Sequence, residues 1–308
     1  VFGDWSSDVC SSDLLFFCEC VNVRIDGVQL YNSPYWTCFL HGCEDVLIHG
    51  LRILNDQRTH NGDGIDIDCC RRVTVSDCII DSGDDCITLR GNESQQKIKR
   101  ACEYITITNC ILHTNCNAFR IGVGNGIVRK AMIANCIIHH SRNAIKLCSK
   151  YSPDKGVLIE DIHFENMYLE SDRPISIVTN TWGRQMGEAF QPIRNISFNH
   201  LRGTACSASI IAGYAHGDIT NIDFSDVCFD YFGGDKVNNK PGIDFTRELS
   251  SSPPCAFWVE YADHVSFNNC KIKWKNASKD WKYGIQFENS QNVTAINCNF
   301  EKDSLIPV

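Results

Sequence analysis

Apolar residues recur along this chain in one short phrase. The phrase is eight residues long, with apolar first, third and eighth places and usually Gly, Asn or Asp at the fifth. It starts at Val23 (VRIDGVQL), Val46 (VLIHGLRI), Val73 (VTVSDCII), Ile105 (ITITNCIL) and Ala131 (AMIANCII). It continues from Ile162 (IHFENMYL), Ile196 (ISFNHLRG), Ile222 (IDFSDVCF), Val265 (VSFNNCKI) and Val293 (VTAINCNF), with Gly203 the plainest lapse. Period-two alternation and β-branched residues at the apolar places predict strands. Successive starts lie 23, 27, 32, 26, 31, 34, 26, 43 and 28 residues apart, which leaves room for two or three short strands per unit and little helix. Units that bury no face alone must stack on one another. The expected fold is therefore all-β, a right-handed parallel β-helix (a solenoid) of about ten coils. A leucine-rich horseshoe would need a leucine-asparagine signature that is missing, and a propeller would need blades of about 40 residues.

Aligning the coils turns the sequence into columns. A second strand follows four consecutive repeats: DGIDI from Asp63, DCITL from Asp85, NAFRI from Asn117 and NAIKL from Asn143. Ile65, Ile87, Phe119 and Ile145 are expected to face inward. Asp66, Thr88, Arg120 and Lys146 then form an outward column, and Asp63, Asp85, Asn117 and Asn143 form a turn column with Asp84 beside it. Coils repeat every ~4.8 Å, so three carboxylates would share a site a few ångströms across. Crowding of that kind raises at least one carboxyl pKa, leaving a protonated acid beside ionised partners. Glycoside hydrolysis uses that division of labour, an acid for the leaving oxygen and a base for the water. The competing reading is a solvated Asp/Asn turn ladder.

Composition narrows the field. The chain has 308 residues, enough for a sizeable core, and a net charge of −8, which argues against a nucleic-acid partner. No run of apolar residues is long enough to span a membrane. Nineteen cysteines fit no zinc spacing. Five of them, Cys78, Cys110, Cys136, Cys270 and Cys298, share one place in the repeat and read as small apolar fillers of a stack. No cofactor and no metal are expected.

Residues 1–14 (VFGDWSSDVCSSDL) lack the periodicity of everything after them and do not read as a signal peptide. They resemble a leader translated from sequencing-adapter DNA. The expected domain is residues 15–308, a single β-helix lacking its first coils. His139 and His140 read as ordinary turn residues, and most of Trp182, Trp258, Trp274, Trp281 and Tyr283 as packing residues. The Gly/Pro/Ser-rich interval 230–264 is a candidate substrate-binding loop.

Four stretches together resemble glycoside hydrolase family 28, the polygalacturonase family. FFCECVNVRIDGVQLYNSPYWT (16–37) is similar to the segment ahead of that family's active site, and NGDGIDID (61–68) to its Asn-x-Asp-Gly-x-Asp motif. SGDDCITLRG (82–91) resembles its Gly-Asp-Asp motif, and NAIKL (143–147) resembles Arg-Ile-Lys in part. The resemblance implies an inverting, metal-free hydrolase of pectin-type polysaccharide, polygalacturonan or rhamnogalacturonan. Asp84 would be the general acid, and Asp63 and Asp85 would hold and deprotonate water. Lys146 would bind a substrate carboxylate or hydroxyl, with Arg120, Asn117, Asp66 and Arg142 as further substrate contacts. A secreted or periplasmic monomer acting on an acidic glycan is implied, with no nucleic-acid or membrane partner.

Two departures stand out. Asn117 and Arg120 occupy the places of a histidine and a serine, and Ala144 replaces the arginine of Arg-Ile-Lys. Arg120, one coil away in the same column, can restore that lost cation, and Arg142 is the weaker candidate. Altered specificity is expected, with exo-acting or rhamnogalacturonan-type action gaining ground. A polysaccharide lyase or epimerase on the same fold, and a non-catalytic carbohydrate-binding β-helix, are the rival readings.

Overall fold

The computed structural model describes residues 13–151, 156–180, 190–232, 252–275 and 281–302. Among the described residues its strands pair in parallel and coil into three ladders around one main core, with a smaller apolar cluster about Cys148 and Trp258. The first ladder runs from Leu15–Cys18 through Cys38–His41, Ile65–Asp68, Ile87–Gly91 and Asn117–Gly124 to the ends of Ile137–Lys150 and Leu158–Asn180. It closes with Ser209–Ala212, Cys255–Glu260 and Tyr283–Glu288, making ten rungs among the described residues. The expected solenoid of about ten coils is therefore present.

The eight-residue phrase spans the other two ladders: its first four places lie in the second, and its last two in the third, which runs from Gln29–Tyr31 through Arg52–Leu54, Ile79–Ser82 and Ile111–Thr114 to Ile137–Lys150. Its ten first places stand in one register column, from Val23 on Val46 and Val46 on Val73 to Val265 on Val293. The fifth place is a left-handed turn residue in every copy, from Gly27 (φ 66°) and Asp77 (φ 57°) to Asn297 (φ 53°). Gly, Asn and Asp tolerate that conformation best, which is why they recur there. Several neighbours in this column bond to each other, as Asn166 Nδ2 does to Asn135 Oδ1 at 2.8 Å. The sixth place points inward, and Cys78, Cys110, Cys136 and Cys270 are buried there. The described cysteines are all thiols, so those four serve as fillers.

At the third place, Phe164, Phe198, Phe224 and Phe267 stack nearly flat, 5.2, 5.0 and 4.8 Å apart. Trp258, Trp274 and Trp281 are buried, as packing residues should be, while Tyr283 is exposed and Trp182 lies outside the described residues. Residues 1–12 of the supposed leader, and residues 233–251 of the supposed substrate loop, also lie outside them.

Candidate active site

The register of the first ladder sets the site. Thr88 pairs with Asp66 below and Arg120 above, and Arg120 pairs with Lys146. The outward column therefore reads Phe39, Asp66, Thr88, Arg120, Lys146, Ser176, polar in the middle and apolar at its lower end. Three residues earlier on each rung runs a second column. Asp63 and Asp85 precede Ile65 and Ile87, which are paired, while Asn117, Asn143 and Arg173 stand in register above. The expected columns are the observed ones.

The acidic column is buried and tied together. Asp63 and Asp85 are 6% and 8% exposed, whereas Asp84 is half-buried. A carboxylate oxygen of Asp84, one of Asp85 and the Cys116 sulfur all lie within 4.8 Å of one another. Asn117 donates from Nδ2 to Asp85 Oδ1 at 2.5 Å, and Asn143 donates from Nδ2 to Asn117 Oδ1 at 2.8 Å. The Asn117 amide is thus committed to Asp85 and holds it in place. The backbone of Asp84 is pinned as well: Ser82 and Thr114 hydroxyls both donate to its carbonyl.

Glycine is required twice here. A Cβ at Gly83 would stand 2.5 Å from the Thr59 carbonyl oxygen and 2.7 Å from that of Asp56. A Cβ at Gly64 would stand 2.5 Å from the Cys86 carbonyl oxygen. The two glycines let the turns that carry Asp63 and Asp84 press against neighbouring backbone.

Electrostatics follow from the crowding. Burial, with the charges of Asp66, Asp85 and Asp84, holds the Asp63 carboxyl well above the usual carboxylate range. Burial and Asp84 raise Asp85 too, against the pull of Arg120 and the Asn117 hydrogen bond. Asp66 is fully buried and pushed up to about 6, although Arg90 and Thr88 favour its charged form. Its Oδ1 accepts from Thr88 Oγ1 at 2.5 Å and Arg90 Nη1 at 3.2 Å, so it supports the site from below and offers little surface to a ligand.

The cations differ in kind. Arg120 is 3% exposed, and among the described residues neither terminal guanidinium nitrogen has a hydrogen-bond partner. Its guanidinium lies 5.2 Å from the centre of the Tyr151 ring. Lys146 is brought down to about 8 by burial and by Arg120 beside it. Arg142 is exposed and donates to the Cys116 sulfur at 3.1 Å. Ala144 is fully buried, so a long cation at that position would need the turn to open.

Several neighbours escaped the sequence reading. Arg90 lies 4.5 Å over the Trp36 ring and lowers the pKa of Asp63. His41 and Asp68 form a buried pair at 3.0 Å in the next outward column. Extending the column arithmetic by two residues, past Asp66 and Thr88 to Asp68 and Arg90, would have found both. Asp13, inside the supposed leader, lies near enough to Asp66 and Arg90 to feel both charges.

The molecule is thus a parallel β-helix with a carboxylate column set beside a cation column. It belongs to glycosyl hydrolases family 28, whose family model matches residues 10–244. An exopolygalacturonase of Arabidopsis thaliana (clone GBGE184) is 24% identical over 264 residues, covering 78% of this chain and 58% of the relative. A polygalacturonase of Juniperus ashei is 33% identical over 241 residues, covering 75% of this chain and 46% of that protein. The solved structure of a family 28 exopolygalacturonase from Yersinia enterocolitica aligns with a TM-score of 0.62 at 14% identity, covering 89% of this chain and 46% of that chain. That likeness is one of fold, the right-handed parallel β-helix expected from the repeat. The chain spans about half the length of the curated relatives it matches.

Proposed function

We propose that this chain is an inverting glycoside hydrolase that cleaves galacturonic-acid-containing, pectin-type polysaccharide. The observation that carries the reading is the pairing of the two columns: Asp63, Asp84 and Asp85 crowd together beside a buried, unpaired Arg120 and a half-buried Lys146. A guanidinium without a partner in a buried place is costly unless an anion arrives to pair with it. A uronate carboxylate has the charge and the two-oxygen shape to do so.

Asp84 is the general acid in this account. It is the half-buried member of the triad, open to a leaving-group oxygen, while its backbone is fixed by Ser82 and Thr114. Asp63 and Asp85, on adjacent rungs, orient the water and accept its proton as it attacks the anomeric carbon. A proton held by Asp63 and Asp85 belongs to that pair rather than to either residue. The Asn143–Asn117–Asp85 chain favours the ionised form of Asp85 against the raising effects of burial and Asp84, since each amide donates towards the carboxylate. Arg120 and Lys146 read the substrate carboxylate, Arg142 sits at the rim, and Asp66 with Arg90 sets the field beneath Asp63. No residue role here requires a metal. The acidic glycan is the expected partner, and a secreted monomer is the form in which we expect the protein to act.

Incubation with polygalacturonate and with rhamnogalacturonan tests the reading. New reducing ends without unsaturated sugars are expected from at least one polymer. Unsaturated products would mark a lyase, and binding without turnover by a folded sample would mark a carbohydrate-binding module.

A further inference from the structure

The third ladder carries a second cluster of chemistry-bearing side chains, which the hydrolytic account does not use. Asp81, His113 and His139 occupy one outward column on three successive rungs, with Asp81 on His113 and His113 on His139. One donor atom from each lies within 4.8 Å of the other two. His113 Nδ1 is 3.3 Å from Asp81 Oδ1, and the His113 and His139 rings stack 4.8 Å apart.

His140 joins them through its backbone. It sits where the ladder register slips between Ile138 and Ser141, with φ at 54°. That left-handed turn brings its ring edge-on to His139, the two Nδ1 atoms 3.3 Å apart. A tetrahedral ion with metal–nitrogen bonds of about 2.0–2.1 Å holds its ligand nitrogens about 3.3–3.4 Å apart. Glu170 follows Leu169, the partner of Ile138, and its charge also bears on His139. Two carboxylates therefore flank three imidazoles, half-buried at His113 and His139 and exposed at His140, a donor set suited to borderline transition cations rather than to calcium.

We propose that Asp81, His113, His139 and His140 form a binding site for one divalent transition cation of the zinc class. The ion would tie together the three coils that lead directly into the Asp84–Asp85, Asn117 and Asn143 turns. His139 supplies the pivot, facing His140 on its own rung and His113 on the next, and a small rotation of the His113 ring turns its nitrogen towards the shared centre.

Calorimetric titration of the chelator-treated full chain with Zn²⁺ tests this directly. One ion per chain is expected, together with a rise in thermal midpoint. In His113→Asn and His139→Asn the affinity falls by more than the roughly 10–100-fold that losing an outer-shell partner costs. Cys116→Ser should bind as the parent does. Parent-like binding by both histidine variants would overturn the site, and so would loss of binding in Cys116→Ser, which would put the ion at Asp84, Asp85 and Cys116. Should the histidine variants misfold, the absorption spectrum of the Co²⁺-loaded parent decides. Tetrahedral bands without a thiolate charge-transfer band support the site, and a thiolate band or an octahedral spectrum contradicts it. None of these readouts depends on which glycan, if any, the protein cleaves.

Discussion

Single residues decide the chemistry through what they leave unpaired. Arg120 has two terminal nitrogens without partners among the described residues, so a substrate carboxylate is their natural complement. Charge-assisted hydrogen bonds are worth about 1.5–3 kcal/mol each, so Arg120→Ala should raise KM for an acidic polymer about 10–100-fold. The same variant should discriminate far less between polygalacturonate and its carboxyl-reduced form, and steady-state kinetics on the two polymers would show it. Asn117 works the other way, by donating to Asp85. Without that bond the charged carboxylate is less favoured, so in Asn117→Ala the Asp85 pKa rises further. The acidic limb of the pH profile of kcat/KM should then move to higher pH; an unmoved limb would separate Asn117 from the base.

At the scale of the element, the rung is the unit that was legible in sequence. The eight-residue phrase carries both the alternation of the second ladder and its left-handed turn, so its ten starts fall in one structural column. The site columns were legible for the same reason: the motifs sit two and three residues from inward apolar positions, whose alignment fixes the polar ones. Contacts made by loops were not legible. The Gly83 turn lies against the 56–62 loop, whose path no periodicity describes. Gly83→Ala should therefore displace Asp84, cut turnover and lower the thermal midpoint, while far-UV circular dichroism stays close to that of the parent. In the core, Phe198 stacks between Phe164 and Phe224, and Phe198→Ala should cost about 3–5 kcal/mol of stability, measured by denaturant unfolding. Arg90 and the His41–Asp68 pair went unread because their column begins where the motifs end. Asp81, His113 and His139 share the place that follows the phrase and were legible as a column, although His139 and His140 were read as ordinary turn residues; the approach of His140 was not legible, because a register slip, which repeats cannot foretell, turns it onto His139.

For the whole molecule, the carboxylate cluster sets stability against function. Asp63 and Asp85 have folded-state pKa values above their unfolded ones, so the folded chain binds more protons than the unfolded chain in that window. Stability from these groups is full below the ordinary carboxylate range and declines as pH rises through their raised values. Asp63→Asn removes a buried, crowded charge: its thermal midpoint should exceed the parent's at pH 7, with the gain vanishing near pH 4, while hydrolysis is lost. The central claim is that Asp84 protonates a glycosidic oxygen during single-displacement hydrolysis. The most direct measurement is NMR of the anomer first released from polygalacturonate or rhamnogalacturonan, run beside Asp84→Asn. The account predicts an inverted anomer from the parent and a rate at least about 10²–10⁴-fold lower in the variant, with substrate still bound. A retained anomer, or a variant as fast as the parent, would contradict it.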